Sequence, residues 1–424
     1  MPLGPRDERS DLLARRAAQR LGAAGRHALE RDDVAAAVRL LERATALRSR
    51  EDTERPAVLL VLADALGSSG DAERRTTVLR EAVSSAEEVA NRRVELRARL
   101  ELDVDRLFIE GGGGHDAAEA FRGYADELAR QGDHEGVARA WFLAGASVNL
   151  AEPPRGREEF SRSLEAARRA GDRRGEVGAI AWLVLVIAQG SLLAQQARRE
   201  CRRFLSEAHL ENHARAGTED PLGWLEAICG DFDEARRICG DSITVFDELG
   251  MRPSASHSRS WAGLVELLAR DYPAAESHLR LALGSHVEQQ FQAGMRFDAA
   301  LLAEVLYQQE RYREAEDLVE TESRAEGGTP EDRARLGSVA AKLAARRGDR
   351  REAESLVLEA LALADTAWPL EVRGDVRLDL AEVLLLDGRP KEAAAAAEEA
   401  LRIFEKRGNV PSATRARERL REVT

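Results

Sequence analysis

The chain has 424 residues, of which 33% are charged and only 4% aromatic, with a formal net charge of -13 and three cysteines. The acidic balance argues against direct nucleic-acid binding, which needs a net basic face, and three cysteines in so long a chain argue against a disulfide framework. Ala, Leu, Glu and Arg dominate and no strand-like run of Val, Ile, Thr and Tyr occurs, so the composition predicts an all-α protein.

Residues 1–10, MPLGPRDERS, hold no apolar core of the kind a secretory signal needs, and are read as an N-terminal extension of a cytoplasmic protein. Helical patterning starts near Ser10 and is punctuated by turns at RDD (31–33), SGD (69–71), GGGGH (111–115), PPR (153–155) and QGS (189–191). The glycine run at 111–116 is expected to be a flexible loop, since no strand precedes it and no Gly-Lys-Ser/Thr follows. AIAWLVLVIA (179–188) is about half the length that spans a bilayer, so it predicts a buried core helix without membrane contact. In HLENH, His209 and His213 could face one metal from a helix, but Glu211 lies about 200° round from His209 and no third ligand follows. Two surface histidines are expected, with no metal and no cofactor.

From residue 230 onwards the turns recur in register: GDFDEA (230), RDYPAA (270), ERYREA (310), GDRREA (348) and GRPKEA (388) are spaced by 40, 40, 38 and 40 residues. An apolar helical segment precedes each turn and another helix follows, so the unit is a helical hairpin. Small residues mark where two helix axes approach to about 8–10 Å. Ala235, Ala275, Ala315, Ala353 and Ala393 open the second helices, and Gly223, Gly263, Ala303, Ala341 and Ala381 stand twelve residues earlier.

The register also disposes of the eye-catching stretch CGDFDEARRIC (229–239). Cys239 shares its slot with Leu279, Val319, Val357 and Ala397, which predicts a core thiol, and Cys229 falls at a helix end. Asp231 with Glu234, and Asp349 with Glu352, have capping-box spacing. The arginine cluster RRGDRRE (346–352) alternates with acids and predicts a solvated surface. VPSATRARERLREV (410–423) has an apolar side of Val410, Ala413, Ala416 and Leu420, so residues 410–424 read as a capping helix after a solenoid over 11–409.

The paired small residues resemble the tetratricopeptide repeat, although the period is about 40 rather than 34 residues. That resemblance implies a right-handed superhelical solenoid of about ten antiparallel hairpins with the first helix of each unit lining a concave wall. Its groove-facing slots correspond here to Trp224, His257, Ser260, Leu264, Phe297, Glu304, Tyr307, Arg335, Ser338, Lys342 and Glu382. Segments 13–47, 230–250 and 378–420 look like the C-terminal tail of actinobacterial signalling proteins that carry an ATPase module with a cyclase or LuxR-type domain. No Walker loop, cyclase aspartates or helix-turn-helix block accompanies them, and no catalytic residue is transferred.

The expected function is a non-enzymatic interaction module of a bacterial signalling system, either free-standing or part of a larger protein. It would hold a protein or peptide, or a sister ATPase or cyclase domain, in the groove. The alternative is an effector sensor, which would show a closed pocket with convergent polar groups instead of an open groove. An enzyme on this scaffold would require the HLENH pair to find further ligands.

Overall fold

The computed structural model describes residues 8–31, 33–109, 114–151, 155–208, 210, 212–323 and 328–423. They form 21 helices and, among the described residues, no strand. The protein is an all-helical repeat solenoid, and its chain divides into two compact units.

The first unit, residues 1–151 and 158–176, holds α1 (Glu8–Glu30), α2 (Val34–Ala46), α3 (Arg55–Ser68), α4 (Ala72–Glu88), α5 (Arg92–Ile109), α6 (His115–Arg130), α7 (His134–Ala151) and α8 (Arg157–Ala170). Its core repeats one device, in which a fully buried Leu or Phe fits against a glycine of the preceding helix: Leu41 beside Gly25, and Phe160 beside Gly145. Phe121, Ala125 and Leu128 of α6 pack with Val137, Ala138 and Ala144 of α7 around the turn at Gly132 and Asp133. A tight turn thus stands here in addition to the connection at the glycine run. That run, apart from Gly114, lies outside the described residues, as do His209, Glu211 and the ring of His213.

The second unit, residues 152–157 and 177–424, holds most of α9 (Arg173–Gln189), from Val177 on, then α10 (Ala194–Glu207), α11 (Asn212–Ile228), α12 (Phe232–Glu248), α13 (Arg252–Ala269), α14 (Tyr272–Glu288), α15 (Gln292–Gln308), α16 (Tyr312–Ser323), α17 (Pro330–Arg347), α18 (Arg350–Thr366), α19 (Glu371–Leu386), α20 (Pro390–Arg407) and α21 (Val410–Val423). The apolar run at 179–188 is the buried part of α9, and among the described residues no helix is long and apolar enough to cross a membrane.

Two layers follow from the sequence pattern. Second helices such as α14 bury a single stripe, Ala275, Leu279, Ala282 and His286, and leave the rest to water. First helices such as α13 and α15 are buried nearly all round, because each packs on its hairpin partner and on the first helices before and after it. All five alanines that open the second helices are buried, as are Ala303, Ala341 and Ala381. The small residue chiefly admits the side chain four places beyond that alanine: a Cβ on Gly263 would sit 2.6 Å from Leu279, and one on Gly223 3.1 Å from the Cys239 sulfur. Burial of Leu279 at that contact contributes on the order of 2 kcal/mol.

The turn geometry is equally regular. Asp231, Asp271 and Asp349 each accept a hydrogen bond from the backbone three residues on, at 3.3, 3.2 and 3.0 Å, satisfying one of the free N–H groups of the following helix. The capping boxes form only by half. Glu234 turns instead to Arg237 at 2.7 Å and Glu352 to Arg347 at 3.2 Å; a reciprocal box closes at Thr329 and Asp332.

The residue that ends each first helix at the five turns adopts a left-handed backbone. Glycine fills it at 230, 348 and 388, but Arg270 and Glu310 do so at φ 64° and 61°. Glu310→Gly removes the Cβ strain and is expected to raise stability by about 1 kcal/mol in chemical denaturation; an unchanged midpoint would refute this.

Candidate ligand cavity in the second unit

Helices α11, α13, α15, α17 and α19 turn their inner faces towards one cavity of about 150 Å³, and α21 lines it from the remaining side. The unit's two ends also meet. Arg407, at the end of α20, is almost completely buried, with its guanidinium donating to the carbonyls of Ala188 and Leu192 and to Glu371 at 2.9 Å.

The cavity has two unlike walls. Trp224, Trp261, Leu264, Phe297 and Leu301, from α11, α13 and α15, make an apolar wall in which the two indoles lie 6.1 Å apart. Helices α17, α19 and α21 supply most of the charge, and in total eight carboxylates and four arginines line the space. Three arginines are well paired: Arg415 to Asp375 at 2.6 Å, Arg419 to Glu422 at 2.9 Å and Glu382 at 3.2 Å, and Arg270 to Glu418 at 2.8 Å. Arg335 stands 3.5 Å from Glu331 and 3.6 Å from Asp375. Burial pushes Glu331 up to about 7 and also raises Glu371, whose neighbour Arg407 pulls the other way.

Behind the charged wall sits an ion cluster. Lys342 is fully buried, 2.6 Å from Glu304 and 2.8 Å from Asp379, with its ammonium 4.4 Å from the centre of the Tyr307 ring. Burial alone would lower this lysine, yet Asp379 and Glu304 more than offset it and hold it above its ordinary range. Burial raises Glu304 despite Lys342, because Asp379 shares the same cation. The Tyr307 hydroxyl donates to Glu382 and accepts from Arg346 at 2.6 Å. Arg346 also lies over the Tyr307 and Tyr312 rings. The arginine cluster is therefore not simply a solvated surface: Arg346 ties two repeats together and Arg350 reaches Asp387 at 2.6 Å.

Of the groove residues that the repeat resemblance implies, Trp224, Leu264, Phe297, Glu304, Arg335, Ser338 and Glu382 line the cavity together. Tyr307 and Lys342 stand behind it as partners of its lining acids. Ser260 is buried and donates to the Ser256 carbonyl at 3.2 Å, while His257 is exposed and accepts from the Trp261 indole at 3.1 Å; neither lines the cavity.

The sequence reading missed Glu371, Asp375 and Asp379, which extend the stripe ending at Glu382 by helical spacing along α19. It also missed the whole contribution of α21, whose charged face reads as solvent-facing. In the structure that face meets Asp375, Glu382 and Arg270, while Ala413 and Ala416 pack on Ala400 and Phe404. Val410, placed on the apolar side, is exposed.

The cysteines stay outside this arrangement. Cys239 is buried and burial raises its thiol, and the half-buried Cys229 sulfur is raised for the same reason. Among the described residues, no group of three or more His, Cys, Asp or Glu side chains is placed to hold a metal ion.

Residues 339–409 match the tetratricopeptide repeat family. The match covers Lys342, α19 and α20, hence much of the charged side of the cavity. No curated protein matches the chain in sequence. Among solved structures, the human IFIT1 dimer with m7Gppp-AAAA superposes with a TM-score of 0.52 at 13% identity, covering 100% of this chain and 96% of that one. A signal transduction ATPase with numerous domains and a tetratricopeptide repeat sensor, from Pyrococcus horikoshii, gives 0.49 at 13% identity, covering 90% and 57%. Yeast Tom70 gives 0.40 at 15% identity, covering 95% and 96%. At these identities the likeness is one of fold, a helical-repeat solenoid.

Proposed function

We propose that the chain is a non-enzymatic interaction module of a bacterial signalling system, receiving a protein or peptide on the inner wall of its second unit. The supporting observation is that this wall carries aromatic and charged side chains, Trp224, Phe297, Arg335 and Asp375 among them, around a cavity rather than inside a hairpin core. Arginine outnumbers lysine heavily, with only Lys342, Lys391 and Lys406 present, which fits a GC-rich bacterial source. A sister ATPase or cyclase domain is the partner class that the resemblance of the repeats implies. Affinity capture tests the wall. Partners should be lost from a Leu264→Ala, Phe297→Ala double variant and kept by Leu281→Ala, Leu358→Ala on exposed positions; equal recovery by both overturns the assignment.

A second reading, effector sensing, is favoured by α21. Because this helix crosses to α11 and α13, the inner wall is covered and a small-molecule cavity remains under it. Stabilisation by a nucleotide, sugar or amino acid in thermal melts is the expected result, and a screen without any shift removes the reading.

A further inference from the structure

All four arginines on the cavity lining are committed to lining carboxylates, at 2.6 to 3.6 Å. An anionic ligand would therefore have to draw an arginine off its carboxylate. The acids, by contrast, are in excess. Eight carboxylates line the space, whereas the four arginines and the three cations that reach the lining acids from behind, Lys342, Arg346 and Arg407, make seven. Glu331 is the carboxylate left short. Its side chain is 17% exposed, and its one cation among the described residues, Arg335, lies 3.5 Å away and is shared with Asp375 at 3.6 Å. Burial without a close counter-charge is what pushes Glu331 up, and one positive charge facing it completes the set.

Trp224 supplies an independent observation. It is 2% exposed and lines the cavity, yet its indole N–H meets no acceptor among the described residues, whereas the N–H of Trp261 donates to His257 at 3.1 Å. The Trp224 N–H is not occluded, and the cavity is the space that this side chain lines. A buried indole N–H ordinarily finds a partner, so a ligand with an accepting oxygen suits it. The same wall, with Trp224 and Trp261 6.1 Å apart and Phe297 beyond, offers aromatic faces that attract a cation as well as a hydrocarbon.

Both walls bound one space. Glu331 stands one turn before Arg335 on α17, and Arg335 holds the repeat slot that Phe297 holds on the adjoining α15. The volume of about 150 Å³ matches an apolar cavity that accepts a benzene ring, so one small molecule filling it meets the acids and the aromatic wall together. We infer that the cavity binds an arylalkyl amino alcohol as its ammonium ion, with the charge on Glu331, the oxygen on the Trp224 N–H and the hydrocarbon against Leu264 and Phe297. The protein already seats an ammonium by this chemistry, since Lys342 lies between Glu304 and Asp379 with a tyrosine ring 4.4 Å away. The inference rests on the effector-sensing reading.

Calorimetric titration of the full chain at pH 8, where Glu331 is ionised, with L-phenylalaninol, phenethylamine, 3-phenylpropanol and 3-phenylpropionate tests it. Phenylalaninol should bind, the neutral alcohol roughly tenfold more weakly and the oxygen-free amine about threefold more weakly, and the carboxylate should not bind. Glu331→Gln keeps the size of the side chain and removes its charge. It should weaken both amines roughly tenfold, leave the alcohol unchanged and not lower the unliganded melting temperature, because burial already disfavours the ionised form. Trp224→Phe should erase the preference for phenylalaninol over phenethylamine, a ratio that a general loss of stability does not move. Equal binding of the alcohol and phenylalaninol, or a Glu331→Gln variant with full affinity for amines, overturns the cation assignment. A preference for phenylalaninol that survives Trp224→Phe overturns the oxygen contact. If only nucleotides or sugars stabilise the chain, the amine class falls while the sensor reading stands. If no small molecule binds, both fall.

Discussion

Lys342→Ala is expected to lower the unfolding free energy by about 3 kcal/mol. The ammonium is fully buried and is the close cation for Glu304 and Asp379. Breaking a buried ion pair from one side leaves an uncompensated charge and costs roughly 3–5 kcal/mol. The lower end applies because both carboxylates keep about a fifth of their exposure, 19% and 18%, and so retain some water. Urea denaturation of the two proteins at pH 7 gives the difference directly, and a loss below about 1 kcal/mol, typical of exposed pairs, would refute the buried-cluster description. Lowering the pH should narrow the gap, since burial already raises Glu304 towards its neutral form and a protonated carboxyl no longer needs the cation.

Asp220→Asn is expected to stabilise the protein, and only at the alkaline end. Asp220 of α11 is completely buried, accepts from the Ser258 hydroxyl at 2.6 Å and has its other oxygen unpartnered. Burial pushes its carboxyl from 3.8 up to about 7. Between those pH values the folded chain holds a proton that the unfolded chain has released, so stability falls as the pH rises, and the full penalty applies above pH 7. The interval of about three pH units corresponds to roughly 4 kcal/mol at 1.36 kcal/mol per unit. An amide nitrogen left without a partner offsets about half of that, leaving a gain of about 2 kcal/mol at pH 8. At pH 4 the variant should show no gain. A variant less stable than the parent at both pH values would mean that Asp220 is held ionised by Ser258.

The repeat was legible because its signal lies in positions where size alone decides. A Cβ on Gly263 collides with Leu279, so the slot tolerates only small side chains and repeats visibly in the chain. Turn residues were legible for a similar reason, since an aspartate at 231, 271 or 349 meets a free backbone N–H in each case. Where the backbone rule is not obeyed, as at Arg270 and Glu310, the surrounding register carried the reading.

The cavity was only half legible. Trp224, Phe297, Arg335 and Ser338 sit in slots that the period identifies, so they could be found together. Arg415 and Arg419 could not, because a charged helix face looks the same whether it meets water or Asp375 and Glu382. The partnership of Arg407 with Ala188 and Leu192 leaves no local trace either, since it joins residues more than 200 apart in sequence. Both expected capping boxes closed only on the aspartate side, because arginines nearby compete for the two glutamates.

An open stack of hairpins behaves as a one-dimensional array in which each repeat is supported only by its neighbours, and the terminal repeats fray first. The Arg407 clasp changes that arithmetic for the second unit. With its last long helix fastened to its first, no repeat in that unit is terminal, and release of one end exposes both. Its opening is therefore expected to be one concerted event, detected as a single class of protected amides in hydrogen exchange. The clasp, which closes a loop of about 215 residues, should form late in folding because its closure entropy is met only once the repeats between have assembled.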